Sequence, residues 1–323
     1  MSRHRRHVHV VWHAEGDPRT TGFAEEIAPE TAACAPDLTF ALFPDADRYP
    51  GTDTEPAATG SAADAVVVLA PARLRERCDL HALLHRTRAR FSAGVPVAAL
   101  ILDDPEEFDT NYLLPALFDA VFTDDANAAL YYHSERVYAL PPAARATATA
   151  TTDDTFDCDV LVCRGGDHTG EEESLLRAVR AAAPENARIR VVEDETPPVE
   201  ICRRAKVVLR YPDFRAGAPG NRLLQVVRST PDAQTFRLAE AGIFQLVFLR
   251  QPELLDLFSP DEIPAFSREA DLRESLGRTL SDEAFRADAA ARARARVHRE
   301  HLYRHRLRTL ADTLFGEEGQ AIR

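Results

Sequence analysis

The chain lacks any run of apolar residues near the roughly 20 needed to cross a bilayer, so no membrane span is expected. Its opening, Met1-Ser2-Arg3-His4-Arg5-Arg6, leads into a strand-like run instead of a signal-peptide core, which makes a cytoplasmic location the expectation. Cysteines are few. Cys34, Cys78, Cys158, Cys163 and Cys202 are odd in number and too scattered for a zinc knuckle, and they read as reduced, mostly buried thiols. An excess of positive charge is missing as well: at a formal −13 the chain opposes the phosphate neutralisation that drives non-specific nucleic-acid binding, so no nucleic-acid partner is expected. Lysine is almost absent, with Lys206 alone among 39 basic residues, a bias attributed to codon economy and not to function.

What the chain does have is length and apolar content. Its 323 residues, 45% of them hydrophobic, suit two domains of about 150 residues with packed cores. The first half shows short apolar runs at His7–His13, Leu38–Phe43, Ala65–Ala70, Val95–Leu102, Ala120–Thr123 and Val137–Leu140, with helix-compatible stretches at Pro71–Phe91 and Asp124–His133. Runs that are apolar at successive positions predict strands buried on both faces, hence a parallel sheet covered by helices. At Ala144–Asp154 the composition becomes Ala/Thr/Asp-rich without a bulky apolar residue, the pattern of a linker.

Beyond the linker the α/β alternation restarts. Strands are predicted at Asp157–Val162, Ile189–Val192, Lys206–Tyr211 and Phe244–Leu249, with helices at Glu171–Ala183 and near Glu200. Pro212–Ser229 lacks periodicity and is left unassigned, whereas Asp282–Phe315 reads as helical throughout. The expected fold class is α/β, with two Rossmann-like doubly wound domains facing a cleft. The expected division is residues 1–146 as an acceptor-side domain, 147–300 as a donor-side domain, and 301–323 as a helix crossing back to the first domain.

Four segments carry a resemblance. Leu100-Ile101-Leu102-Asp103-Asp104-Pro105 is an apolar strand running into an acidic turn. Phe118-Asp119-Ala120-Val121-Phe122-Thr123-Asp124-Asp125 is followed by Tyr131 and by Val137-Tyr138-Ala139-Leu140-Pro141. Gln234-Thr235-Phe236-Arg237 precedes Ala241-Gly242-Ile243-Phe244-Gln245-Leu246. Leu257-Phe258-Ser259-Pro260-Asp261-Glu262-Ile263 leads to Asp271-Leu272 and to His301-Leu302-Tyr303-Arg304-His305-Arg306. In order and spacing these resemble the motifs of CgeB-like (spore-maturation type) glycosyltransferases, over about half of the chain.

That resemblance implies a GT-B fold, a nucleotide-diphospho-sugar donor in the second domain and an acceptor of unknown kind, whether small molecule, glycan or protein, against the first. It implies no cofactor and no obligatory metal; the leaving diphosphate would be stabilised by main-chain N–H groups, helix N-termini and basic side chains. Its donor residues would be Arg164, Thr235, Arg237, Glu240, Gly242 and Glu262, and its catalytic pair Asp103 and Asp104. The donor motif departs from the family at Gln234, where the family has Arg, and at Arg237, where it has the Glu expected to hold the donor ribose. A carboxylate accepts hydrogen bonds from a diol, whereas a guanidinium only donates. A catalytically degenerate protein that binds a nucleotide, a glycan or a protein without turnover is therefore the alternative reading.

Each candidate also has a plain structural explanation. Asp104 with Pro105, Glu106 and Glu107 has the composition of a helix start. Arg237 suits a diphosphate, or a salt bridge to Glu240 three residues on; sliding the motif by three places makes Glu240 its Glu but displaces the glycine. Arg164-Gly165-Gly166-Asp167-His168 follows a strand and fits a phosphate turn, yet the following Glu171-Glu172-Glu173 would repel a diphosphate. His81 and His85 share a predicted helix face without a third ligand, and His13 ends the first strand as a rim histidine would. The arginines of the last helices read as a solvated face paired with acids, and His301, Tyr303 and Arg306 as residues fixing the last helix.

Overall fold

The computed structural model describes residues 5–12, 18–34, 37–43, 63–70, 95–102, 104–147, 156–164, 170–194, 196–211 and 221–316. The helix expected at Pro71–Phe91, with His81 and His85, lies outside the described residues, as do His13, Asp103 and Gly165–His168. The chain divides into two compact units. The first comprises residues 1–141, 215–228 and 303–323, and the second residues 142–214 and 229–302.

In the first unit, strands β1 (Arg6–Val11), β2 (Leu38–Phe43), β3 (Ala65–Ala70), β4 (Val97–Ile101), β5 (Ala120–Thr123) and β6 (Val137–Ala139) form a six-stranded sheet in the order β2-β1-β3-β4-β5-β6. Every pairing is parallel. The cause is visible in β4, where Val-Ala-Ala-Leu-Ile is buried at all five positions, as a strand covered on both faces requires. Ile101, Phe108, Phe118 and Val121 pack in one apolar cluster with Val226, which belongs to the stretch left unassigned from sequence. That stretch is held by polar contacts and not by periodicity. Asn221 Nδ2 donates to Val226 O (2.6 Å) while Val226 N donates to Asn221 Oδ1 (2.8 Å). Asn127 Nδ2 donates to Val227 O (2.8 Å), and Arg228 places Nη1 and Nη2 at 3.1 Å from Asp124 Oδ2.

The first unit's helices are α1 (Pro18–Thr31), α2 (Phe108–Asn111), α3 (Ala126–Tyr131) and, after the second unit, a helix at Tyr303–Phe315. Asp125 caps α3 by accepting from Ala128 N (2.9 Å), which satisfies an otherwise orphaned amide. Tyr303 meets Phe23 of α1 edge to face at 5.3 Å, and Arg306 Nε donates to Pro141 O (2.8 Å).

The second unit contains β7 (Cys158–Cys163), β8 (Ile189–Val192), β9 (Ala205–Arg210), β10 (Gln245–Phe248) and β11 (Ala265–Phe266), all parallel, in the order β11-β10-β9-β7-β8. Its helices are α4 (Gly170–Ala182), α5 (Val199–Arg203), α6 (Ala233–Glu240), α7 (Leu254–Leu257), α8 (Glu269–Ser281) and α9 (Glu283–Glu300), so Tyr303–Phe315 is α10. Two features differ from the sequence expectation. The terminal segment is not one helix, because His301 and Leu302 separate α9 from α10. There Ala144 N donates to His301 O (3.0 Å), Ala144 pairs with Leu302 in a parallel bridge, and the His301 imidazole Nε2 lies 3.0 Å from Leu257 O. Tertiary hydrogen bonding overrides local helix propensity at this point. For the same reason the stretch expected as a linker begins packed, with Ala144 buried beside Phe236, Val297 and Leu302.

Candidate functional site

In open α/β sheets ligands bind beyond the carboxyl ends of the strands where the strand order reverses. In the second unit that point lies between β7 and β9, whose ends are in register at Cys163 and Arg210. Arg164 follows directly. Its guanidinium is largely buried and held by two acids, with Nη1 2.8 Å from Glu173 Oε1 and Nη2 3.2 Å from Glu193 Oε1. The hydrogen bond that its Nη1 donates to Glu173 is the main cause that raises its pKa above the ordinary value. Glu173, expected to repel an anion, is thus the partner of the arginine expected to attract one.

Arg210, which the sequence reading passed over, is the larger feature. It is 2% exposed, with Nη1 2.9 Å from Asp232 Oδ1, Nη2 2.6 Å from Asp232 Oδ2, and Nη1 2.6 Å from Thr235 Oγ1. Burial opposes its charge, and the bidentate Asp232 carboxylate outweighs burial, so the guanidinium is held above its ordinary pKa. Asp232 is also the N-cap of α6, accepting from Thr235 N at 3.0 Å. The amino end of that helix, favourable for an anion, therefore already carries a carboxylate. A signal for the cap was present in the sequence: an Asp stands three residues before Thr235, where a helix begins. No comparable signal joins Arg210 to a partner 22 residues away.

The remaining donor-side candidates separate into two groups. Thr235 is buried in the Arg210–Asp232 knot. Gln234 is buried too, its Nε2 donating to Pro197 O at 2.8 Å. Arg237 lies half-buried in the last turn of α6. Glu240, at the far end of the helix, is 2% exposed and accepts from Thr147 N (2.9 Å) and Thr147 Oγ1 (2.7 Å), with His298 Nε2 at 3.2 Å. Gly242 has φ 69°, and Ile243 N bonds Leu238 O (3.0 Å) while Gly242 N bonds Ala239 O (3.1 Å). That pair of bonds is a Schellman motif, which requires a left-handed residue and so favours glycine. Glu262 is apart from these, its Oε2 accepting from Ser259 N at 2.8 Å and lying 3.7 Å from Arg296 Nε.

In the first unit, Asp104 follows the end of β4 and is wholly buried. Its carboxylate is not a helix cap. Asn111 Nδ2 donates to Oδ1 (2.9 Å), the Tyr132 hydroxyl lies 2.8 Å from Oδ1 and 2.9 Å from Oδ2, and Asp104 N donates to Asp124 Oδ1 (3.1 Å). Burial raises the Asp104 pKa from 3.8 to about 6, against hydrogen bonds from Thr123, Asn111 and Tyr132 that favour the charged form, while the nearby Asp125 adds to the rise. Burial and the same carboxylate push the Tyr132 phenol far above its ordinary pKa, so it remains a donor. Among the described residues no group of three or more His, Cys, Asp or Glu is arranged to hold a metal ion. No helix among them is long and apolar enough to cross a membrane.

Two parallel α/β sheets with flanking helices define a two-domain Rossmann-like fold, that of the GT-B glycosyltransferases. Residues 173–312 match the family described as glycosyl transferase-like, a span that begins on α4 and ends on α10. No curated protein matches the chain in sequence. Among solved structures the chain is similar to an alpha-glucosyltransferase in complex with UDP and a 13-mer DNA, with TM-score 0.58 and 11% identity over 97% of this chain and 100% of that one. It is similar to sucrose-phosphate synthase from Thermosynechococcus elongatus with TM-score 0.52 and 10% identity, over 96% and 99%. Against S. aureus TarM, with TM-score 0.49 and 8% identity, the match covers 78% of this chain and 56% of the length of TarM.

Proposed function

We propose that this chain is a cytoplasmic glycosyltransferase of the CgeB-like type, using a nucleoside-diphosphate sugar as donor and no obligatory metal. The observation that carries the reading is that the glycosyl transferase-like match, residues 173–312, takes in β9 with Arg210 and all of α6, the elements around the strand-order reversal of the second unit. In this reading the donor occupies that edge, and main-chain N–H groups and guanidinium side chains offset the charge of the departing diphosphate. Arg237 contacts phosphate, not ribose. Asp103 serves the acceptor, and the neighbouring Asp104 is anchored by Asn111 and Tyr132. Calorimetry with UDP, GDP, dTDP, CMP and ADP, and with their sugar conjugates, tests this. A saturable preference for one diphosphate supports the reading, and a folded protein that binds none of them refutes it.

A second reading, a nucleotide or glycan binder without turnover, is favoured by one specific observation. Both arginines at the β7/β9 edge are already neutralised from within the unit, Arg164 by Glu173 and Glu193 and Arg210 by Asp232. Binding of a sugar nucleotide with neither hydrolysis nor transfer would select it.

A further inference from the structure

Among the described residues seven large hydrophobic side chains are exposed, and six of them lie on three segments of the first unit: Tyr112 and Leu113, Leu130 and Tyr131, Leu223 and Leu224. Isolated exposures need no explanation, whereas a concentration of this kind marks an interaction surface. One aromatic cluster joins the first two segments: the Phe108 ring lies 6.1 Å from that of Tyr112 and 6.2 Å from that of Tyr131, and Tyr112 stacks on the buried Tyr132 at 6.2 Å. The third segment is bound to the first by Asp109, whose carboxylate accepts from Leu223 N (2.9 Å) and Leu224 N (3.0 Å). Its base is clamped as well. Asn221 and Val226, both buried, pair through the Asn221 side chain, and residues 222–225 between them are all exposed. Gln225 is held there at φ 49°, a conformation that L residues adopt at a cost and that persists where the surroundings impose it. The loop therefore presents Leu223 and Leu224 to solvent in a fixed conformation, which lowers the ordering cost of an association.

We propose that this surface is a two-fold homodimer interface, covered by the same surface of a second copy of the chain. The proposal is independent of the glycosyltransferase reading. A standard interface buries roughly 800 Å² per partner, and homodimer interfaces are about 65% apolar, so about 520 Å² of apolar surface is needed on each copy. At exposures from 40% (Tyr131) to 86% (Leu223), the six side chains supply on the order of 600 Å². Their makeup fits the interior of such a contact: leucines and tyrosines, with no charged side chain among them. Charge decides between self and a foreign partner. A partner drawn by electrostatics to a chain of formal charge −13 would be basic and would meet an acidic surface. The charges flanking the six side chains are mixed instead: Arg222 precedes Leu223 and Arg136 lies beyond Tyr131, against Glu106 and Glu107 before Phe108 and Glu135 beside Arg136. A two-fold axis can set each sign on one copy against the opposite sign on the other, so the rim suits its own copy.

Sedimentation equilibrium of the full chain at concentrations from about 1 to about 100 μM tests this. A concentration-dependent dimer is expected, and it should persist at high salt because apolar burial, not rim charge, holds it. In Leu113→Asp/Leu223→Asp, which buries carboxylates in the contact, the dimer dissociation constant should rise about 100-fold or more. Leu130→Asp, on the remaining segment, should shift it in the same direction. These positions are exposed, so the circular dichroism and thermal midpoint of the dilute monomer should be unchanged, and Leu255→Asp, at an exposed leucine of the second unit, should dimerise as the parent does. A parent that stays monomeric throughout the range overturns the proposal, as does a dimer equally stable in the substituted chains or one that salt dissociates. A monomer that sediments with phosphatidylcholine vesicles, and no longer does so as the double variant, also overturns it, assigning the surface to a membrane.

Discussion

Replacing Asp104 by Asn should flatten the pH dependence of stability in a defined window. The carboxyl is wholly buried and its pKa rises from 3.8 to about 6 on folding, with burial the largest cause. A raised carboxylate pKa means that the native state prefers the neutral form. Its contribution is fully present below the unfolded value and is lost as pH climbs through the folded value. At about 1.4 kcal/mol per pH unit, the rise corresponds to roughly 3 kcal/mol, undiminished by solvent because the group is not exposed. Asn suits the site: its carbonyl can accept from Asn111 and Tyr132 as Oδ1 does, and its amide can donate to the Tyr132 oxygen from the place of Oδ2. Urea unfolding of parent and variant at a series of pH values isolates this residue, because all other titrating groups are common to both. From about pH 4 to about pH 7 the parent should lose on the order of 3 kcal/mol more than Asp104→Asn. Parallel pH profiles would refute the argument and place Asp104 in contact with water.

With the donor held as proposed, Arg237→Ala should weaken nucleoside diphosphate binding by roughly 1.5–3 kcal/mol, with the loss shrinking as salt rises. Calorimetry at two salt concentrations reads this directly, and unchanged binding removes Arg237 from the site. Asp232→Ala should cost about 3–5 kcal/mol in urea unfolding because it strands the buried Arg210 charge, and adding Arg210→Met should recover most of it. A cost of only about 1 kcal/mol would reduce Asp232 to an ordinary helix cap. Gly242→Ala forces a side chain into φ 69° and should lower stability by about 1–2 kcal/mol, seen as a fall in thermal midpoint; no change would mean that the turn relaxes to another conformation.

Much of the architecture was legible because parallel strands buried on both faces leave continuous apolar runs, as at Val97–Ile101 and Ala65–Leu69. What was not legible is held by contacts distant in sequence. Residues 221–228 have no period because Asp109, Asn127 and Asp124 fix them to the first unit, over separations of 100 residues or more. The break between α9 and α10 depends on Ala144 in the same way. Arg210 lies within the predicted strand Lys206–Tyr211, and only the folded chain brings Asp232 to it.

Packing accounts for the frame of the donor motif. Five positions on which the resemblance rests all have internal duties: Thr235 in the Arg210 knot, Phe236 and Leu246 wholly buried, Phe244 nearly so, and Gly242 in the left-handed turn that ends α6. These residues are what the strand-helix-strand geometry requires, so the match reports the fold whether or not sugar transfer persists. Of the two departures, Gln234 is buried and spent on Pro197 O, and it removes a positive charge from the amino end of the helix. Arg237 is half-buried in the last turn of the helix. Arg237→Glu is therefore the decisive substitution. If the family's ribose contact can be rebuilt, the change raises affinity for the nucleoside part of the donor. If Arg237 holds phosphate, it abolishes binding. If neither happens in a folded protein, the donor does not bind along α6.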